Sequence, residues 1–216
     1  MKSIFRVAID GPSGAGKSTI AKSVAKLLNI DYIDTGAMYR AVGYKMQTNG
    51  ITVEDTDAIE RMLKDTDIDF VNGDIILDGK IVNDKIRTSK ISQMASACSA
   101  LPMVRQKLVE IQRLMGTKKS VIMDGRDIGT NVLKDAEYKF FLTASAAERA
   151  DRRHKELLQK GESISFAEVL KDIEARDHND STRKLNPLRK AEDALEIDTT
   201  GLSIEEVTKY VLKEIK

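Results

Sequence analysis

The chain has 216 residues, 41% of them hydrophobic and 32% charged, with a formal net charge of +1. That balance excludes a disordered or fibrous chain and allows one sizeable core. It also gives no whole-chain attraction to nucleic acid or membranes, and the single Cys98 excludes an internal disulfide. In chain order, "SIFRVAID" (3–10) is rich in β-branched and aromatic residues and reads as a buried strand. "STIAKSVAKLLN" follows with Ile20, Val24, Leu27 and Leu28 at helical spacing. "IDYID" (30–34) is a second strand, and "AMYRAVGYKMQ" a helix that stops near Asn49-Gly50. A helix is predicted over 54–64. Asn72-Gly73 and Asp78-Gly79 then fall between β-type runs and supply the positive φ angles of hairpin turns, which predicts a small antiparallel three-stranded patch over 67–84.

Helical spacing resumes over 88–98 and after Pro102, where Val104, Leu108, Ile111 and Met115 share a face. "SVIMD" (120–124) and "YKFFLT" (138–143) are strands. Ser145 with Glu148, Ser165 with Glu168 and Ser203 with Glu206 predict capping boxes. "ALEIDTT" is the last strand and 204–215 the last helix. Strands alternating with helices predict an α/β fold with a mainly parallel sheet covered on both faces.

The segment "DGPSGAGKST" sits between the first strand and the first helix. Its Gly11-x-x-x-x-Gly16-Lys17-Ser18 spacing, in strand–loop–helix context, predicts a phosphate-binding P-loop over Gly11, Pro12, Ser13, Gly14, Ala15, Gly16, Lys17, Ser18 and Thr19. The glycines let successive N–H groups converge on an anion, and the helix N-terminus adds partial positive charge. Lys17 is the candidate for the β- and γ-phosphates and Ser18 for a Mg2+ ion. Thr19 is a candidate for the α-phosphate. This motif alone leaves a switch GTPase, an ATPase motor and a small-molecule kinase open. No Asn-Lys-x-Asp segment supports the first, and the chain is short for the second.

Three further segments place arginines beside acids: "DTGAMYR" (34–40), "MDGRDIGT" (123–130) and "ARDHNDSTRKLNPL" (175–188). The first two lie just past strand ends, at the same sheet edge as the P-loop, so Arg40 and Arg126 are expected to converge on a second anion. Together with the P-loop and the β-rich patch, these segments resemble the bacterial cytidylate kinase family of nucleoside monophosphate kinases over almost the whole chain.

The resemblance implies transfer of the γ-phosphoryl of ATP to CMP or dCMP, with Mg2+. It implies a P-loop three-layer αβα core around a five-stranded sheet, a monophosphate-binding insert (60–100) and a short lid (149–161). By position, the family's monophosphate contacts fall on Arg40, Arg126 and Arg183, its sugar contacts on Arg176 and Asp180, and its base contacts on Ser96, Arg105 and Asp127. Thr35 stands where many members have serine, and Asn179 and Ser181 where some are basic. Arg149, Arg152 and Arg153 are the lid's candidates for the transferring phosphoryl. On spacing alone Arg105 reads as a solvated helix position.

Phosphoryl transfer to an ionised phosphate oxygen needs no general base, only positioning and concentrated positive charge. Asp124 reads equally as a water-mediated Mg2+ partner and as a strand-end turn residue. Cytosine's N4 amino group suits a carboxylate such as Asp127, and its N3 and O2 suit Arg105. His154 and His178 lack metal-ligand spacing, and Cys98 and the methionines read as core. The expected state is a cytoplasmic monomer using ATP and CMP or dCMP, with no nucleic-acid or membrane partner.

Overall fold

A computed structural model describes residues 4–71, 73–159 and 161–215. In chain order the first half forms β1 (Arg6–Asp10), α1 (Lys17–Leu28), β2 (Asp31–Asp34), α2 (Thr35–Thr48), α3 (Thr56–Lys64), β3 (Ile68–Val71), β4 (Asp74–Leu77), β5 (Lys80–Ile81) and α4 (Ser89–Cys98). The second half forms α5 (Pro102–Lys118), β6 (Val121–Gly125), a π-helical turn (Ile128–Val132), β7 (Tyr138–Thr143), α6 (Ala146–Gln159), α7 (Phe166–Thr182), β8 (Leu195–Asp198) and α8 (Ile204–Glu214).

Among the described residues the main sheet has five strands in the order β2-β6-β1-β7-β8. Every pairing in it is parallel. β1 lies at the centre, and its alternating side chains explain why both faces are covered. Ala8 faces one core with residues of α2 and α5, including Met38, Val42 and Leu108. Val7 and Ile9 face the other, with Ile20 and Val24 of α1 and Val207 and Val211 of α8. The antiparallel β3-β4-β5 sheet joins the first core through Ile68, Ile75 and Leu77. α6 and α7 share a smaller core of Ala150, Leu157, Val169 and Ile173. No helix among the described residues is long and apolar enough to cross a membrane.

The turn chemistry reads as expected at Asp78-Gly79, where both residues have positive φ, 49° and 74°. Gly73 is likewise positive at 87°, while Asn72 lies outside the described residues. Ser165 and Ser203 form complete capping boxes. Ser145 forms half of one: Glu148 N–H donates to its hydroxyl, but the Glu148 carboxylate accepts from Arg152 instead. α2 starts at Thr35, two residues before the predicted start, because the Asp34 carboxylate accepts from Ala37 N–H at 2.8 Å. Cys98 is fully buried, and burial pushes its thiol up to about 12.

At the centre of the sheet Gly11 leaves β1 with φ 146°, where a Cβ would lie 2.1 Å from the Leu142 carbonyl oxygen of β7. Only a residue without a side chain lets the loop leave the strand beside β7. Gly11→Ala is therefore expected to cost about 3 kcal/mol of folding stability. Chemical denaturation with a midpoint equal to wild type would refute that constraint.

Candidate active site

The carboxyl ends of β1, β2 and β6 meet at one edge, with Asp34 opposite Asp124 and Asp10 opposite Gly125. Two cavities open there. The smaller, about 220 Å3, is lined by the P-loop, the start of α2, the end of α4, the 124–127 segment and the end of α7. The larger, about 780 Å3, runs from the P-loop past α6 to Thr199 and the start of α8. Ser13, Gly14, Lys17, Ser18, Arg40 and Arg176 line both, so the two spaces share a wall.

The loop is held from below. Arg149 is buried and donates to Ser13 O at 2.9 Å, to Ala144 O at 3.0 Å and to both oxygens of Asp177 at 3.1 and 2.5 Å. It lines neither cavity, which corrects its expected place over a phosphoryl group. Lys17 Nζ donates to Pro12 O at 2.7 Å. Burial first, and Arg126 second, lower the Lys17 ammonium to about 7.

Ser18 Oγ donates to Asp124 Oδ2 at 2.9 Å, and Tyr32 donates to Asp124 Oδ1 at 2.7 Å. Burial, and then the neighbouring Asp34, raise the Asp124 carboxyl. Asp124 thus lies directly against the P-loop serine. Thr35 donates to the Asp124 carbonyl at 2.7 Å, which ties the start of α2 to β6.

Across the smaller cavity the arginines are anchored one by one. Arg40 pairs with Asp34 at 2.9 Å, and its Nε is buried without a partner among the described residues. Arg126 Nε donates to Asp180 Oδ2 at 2.6 Å. Arg183 reaches Asp180 Oδ1 at 3.4 Å and Asp127 Oδ1 at 3.2 Å. Burial alone would raise Asp180, but Arg126 and then Arg183 outweigh it and hold its carboxyl below the usual range. Arg176 pairs with Asp172 at 2.9 Å, and burial lowers its pKa.

Ser96 and Asp127 line the far end, beside Tyr39. Arg105 lies behind Asp127, donating to Oδ2 at 2.5 Å with its guanidinium over the Tyr39 ring at 5.7 Å. It is buried, so the solvated position read from spacing is corrected: the helix after Pro102 turns Arg105 inward to pair with Asp127.

Arg152 and Arg153 line only the larger cavity. Arg152 donates to Thr199 Oγ1 at 3.1 Å and to Thr199 O at 2.8 Å, and Arg153 to Glu156 at 2.9 Å. Gly16 and Thr19 line the same space. Among the described residues no group of three or more His, Cys, Asp or Glu is placed to hold a metal.

Several supporting residues escaped the sequence reading. Asp10 accepts from Ile128 and Gly129 N–H at 2.8 and 2.7 Å and so anchors the π-helical turn, although burial raises its carboxyl to about 6. An acid closing an apolar strand was the available signal, since a buried carboxylate has to find donors. Tyr32, Tyr39, Asn131 and Thr199 carried no comparable pattern.

A phosphate-binding loop on a parallel sheet, facing a second cavity lined with arginines, defines a P-loop protein of the small-kinase class. The same fold occurs in a shikimate kinase from Bacteroides thetaiotaomicron, with TM-score 0.54, 12% identity and 99% of each chain covered. It occurs also in an uncharacterised protein from Eubacterium ventriosum ATCC 27560, with TM-score 0.53, 14% identity and 99% and 98% covered. The family model described as cytidylate kinase matches residues 7–216. A protein of that name from Clostridioides difficile (strain 630) is 54% identical over 209 residues, 97% of each chain. One from Carboxydothermus hydrogenoformans is 52% identical over 215 residues, 98% of this chain and 97% of that one. The chain belongs to the cytidylate kinase family.

The Lys17 environment has a measurable consequence. Folding lowers this pKa from 10.5 to about 7, so the unfolded chain holds the proton more tightly. The penalty is complete below pH 7 and fades toward pH 10.5, so this group makes stability rise with pH across that window. Lys17→Met is expected to raise the thermal midpoint of the unliganded protein at pH 7, by a margin that shrinks by pH 9.5. Melts showing a variant no more stable than wild type at pH 7 would contradict this.

Proposed function

We propose that the protein transfers the γ-phosphoryl of ATP to CMP or dCMP, giving ADP and CDP or dCDP. The observation that carries this reading is the shared wall: Lys17, Ser18 and Arg40 face both cavities, where a group passing between two nucleotides has to travel. Family membership supports it, since the relatives bear the name cytidylate kinase.

In this reading the larger cavity takes ATP. The loop from Gly11 to Thr19 cradles its phosphates, and Leu202, Ile204 and Val207 give a flat base an apolar floor. The smaller cavity takes the monophosphate. Arg40, Arg126 and Arg183 hold its phosphate, Arg176 and Asp180 its sugar, and Ser96 and Asp127 its base; Arg105, which lines neither cavity, acts through Asp127. Each arginine keeps donors to spare beyond the carboxylate that anchors it, because a guanidinium has five N–H groups.

The oxygen donors Ser18 and Asp124, 2.9 Å apart beside Asp34, suit Mg2+, with phosphate oxygens and water completing the shell. Ser18 and Asp124 would hold the ion, and it would supply positive charge against the charge that develops during transfer.

The protein's own part is electrostatic. Lys17 and the arginines hold donor and acceptor in line and stabilise charge spreading over the equatorial oxygens. Lys17 has to be protonated to do so, and phosphate dianions favour that form. The acceptor is already an anion, so no side chain takes a proton from it. The segments 60–100 and 149–161 act as insert and lid, and Arg152 and Arg153 reach the transferring group as the lid closes and water leaves.

Steady-state rates with ATP and Mg2+ are expected to rank CMP and dCMP above UMP and AMP. A preference for UMP or AMP would overturn the base assignment, and no turnover with any monophosphate would overturn the reaction. Lys17→Ala is expected to lower kcat by about 100-fold or more. Asp127→Ala is expected to reduce kcat/KM for CMP at least about tenfold while the KM for ATP stays within a factor of two. An equal loss toward both nucleotides would assign Asp127 to the fold instead.

A further inference from the structure

Beyond Asp127 lies a hydrogen-bonded chain that no step above uses. The π-helical turn starts at Asp127, whose carbonyl accepts from both Asn131 N–H, at 2.9 Å, and Val132 N–H, at 3.2 Å. That winding brings the Asn131 side chain back onto Asp127, and Nδ2 donates to Asp127 Oδ2 at 3.0 Å. On its other side Asn131 meets Arg113 of α5, whose guanidinium donates to Asn131 O at 2.8 Å and to Asn131 Oδ1 at 3.2 Å.

The chemistry settles which way the amide faces. A guanidinium only donates, so Arg113 requires the amide oxygen, and the amino group is left to Asp127. Among the described residues, the side chains hydrogen-bonded to the Asp127 carboxylate then all donate: Arg105 and Asn131 to Oδ2, Arg183 to Oδ1. With Oδ2 taken twice, Oδ1 is the oxygen with capacity left. The carboxylate meets the cavity as an acceptor.

We propose that Asn131, oriented by Arg113, is a specificity-positioning residue: through Asp127 it makes the site accept a pyrimidine with an exocyclic amino group and reject one with a carbonyl there. The inference rests on Asp127 facing the acceptor base. Asn131 lines neither cavity, so its effect reaches the base only through the Asp127 oxygen that remains. A keto pyrimidine brings an acceptor against that oxygen, and the repulsion is strongest when the carboxylate can neither rotate nor donate.

The test is the ratio of kcat/KM for CMP to that for UMP, with ATP and Mg2+, in wild type, Asn131→Leu, Asn131→Asp and Arg113→Ala. Asn131→Leu keeps the side chain's shape and removes the donor, and is expected to lower the ratio about tenfold with the KM for ATP unchanged. Asn131→Asp places a second carboxylate against Asp127, so that one of the two takes up a proton; its ratio is expected to fall further. Arg113 is solvent-exposed, so Arg113→Ala spares the core and keeps the test open where an Asn131 variant fails to fold. It is expected to lower the ratio about threefold by releasing the amide. A wild-type ratio retained within twofold in folded Asn131→Leu and Arg113→Ala would overturn the role of Asn131 while leaving Asp127 as base reader. Equal use of CMP and UMP by wild type would overturn both.

Discussion

Cations inside a poorly solvated crevice have to be held in place without being neutralised. The structure meets that constraint by anchoring the arginines that line the smaller cavity on carboxylates: Arg40 on Asp34, Arg126 on Asp180, Arg176 on Asp172, and Arg183 on Asp180 and Asp127. A single carboxylate accepts from part of a guanidinium and leaves its other N–H groups directed elsewhere. Lys17 differs. Its hydrogen bond goes to a carbonyl, and burial, with Arg126 nearby, loosens its proton. Such pairs are poor sources of net stability, but removing one partner costs about 3–5 kcal/mol because a buried charge is then stranded. The charges are therefore fixed before any anion arrives, which is the condition for electrostatic preorganisation.

The sheet supplies the anchors. Parallel pairing brings the carboxyl ends of neighbouring strands to one edge, so acids that close β1, β2 and β6 become neighbours by register alone. Burial first, and the nearby Asp34 second, raise the Asp124 carboxyl, and the edge becomes a place where cations are welcome. Asp10 has a different task. Its two backbone hydrogen bonds fix the turn next to Asp127, so the Asp127 end of the crevice is set from the central strand.

Much of this was legible in the residues. The P-loop spacing, the alternation of strands and helices, and the turn at Asp78-Gly79 rest on local rules, and each appears where it was read. Strand-end placement was enough to bring Arg40 and Arg126 to one cavity. What could not be read was which way a side chain turns once several are available. Arg149, Arg152 and Arg153 lie within one helical segment and look alike in sequence, yet Arg149 goes under the loop to Asp177 while the other two face the larger cavity. Arg105 looks solvated until α5 packs against the first core and carries it to Asp127. The π-helical turn had no signal either, since its cause is the Asp10 carboxylate, 118 residues away from Ile128 in sequence.

The places where local rules are broken coincide with the crevice. Gly11 takes a backbone conformation that side chains avoid, Lys17 is buried without an ion pair among the described residues, and Asp10 and Asp124 sit where burial disfavours their charge. The three buried charges cost folding stability. A sequence selected for stability alone would replace Lys17 with an apolar residue and let the acids be neutral ones. The local costs are tolerable because the two cores on either face of β1 are closed and apolar, with Ala8, Val7 and Ile9 fully buried. The central strand thus has two jobs that depend on each other: its side chains provide the burial, and its carboxyl end holds the strained, charged loop that the burial makes affordable.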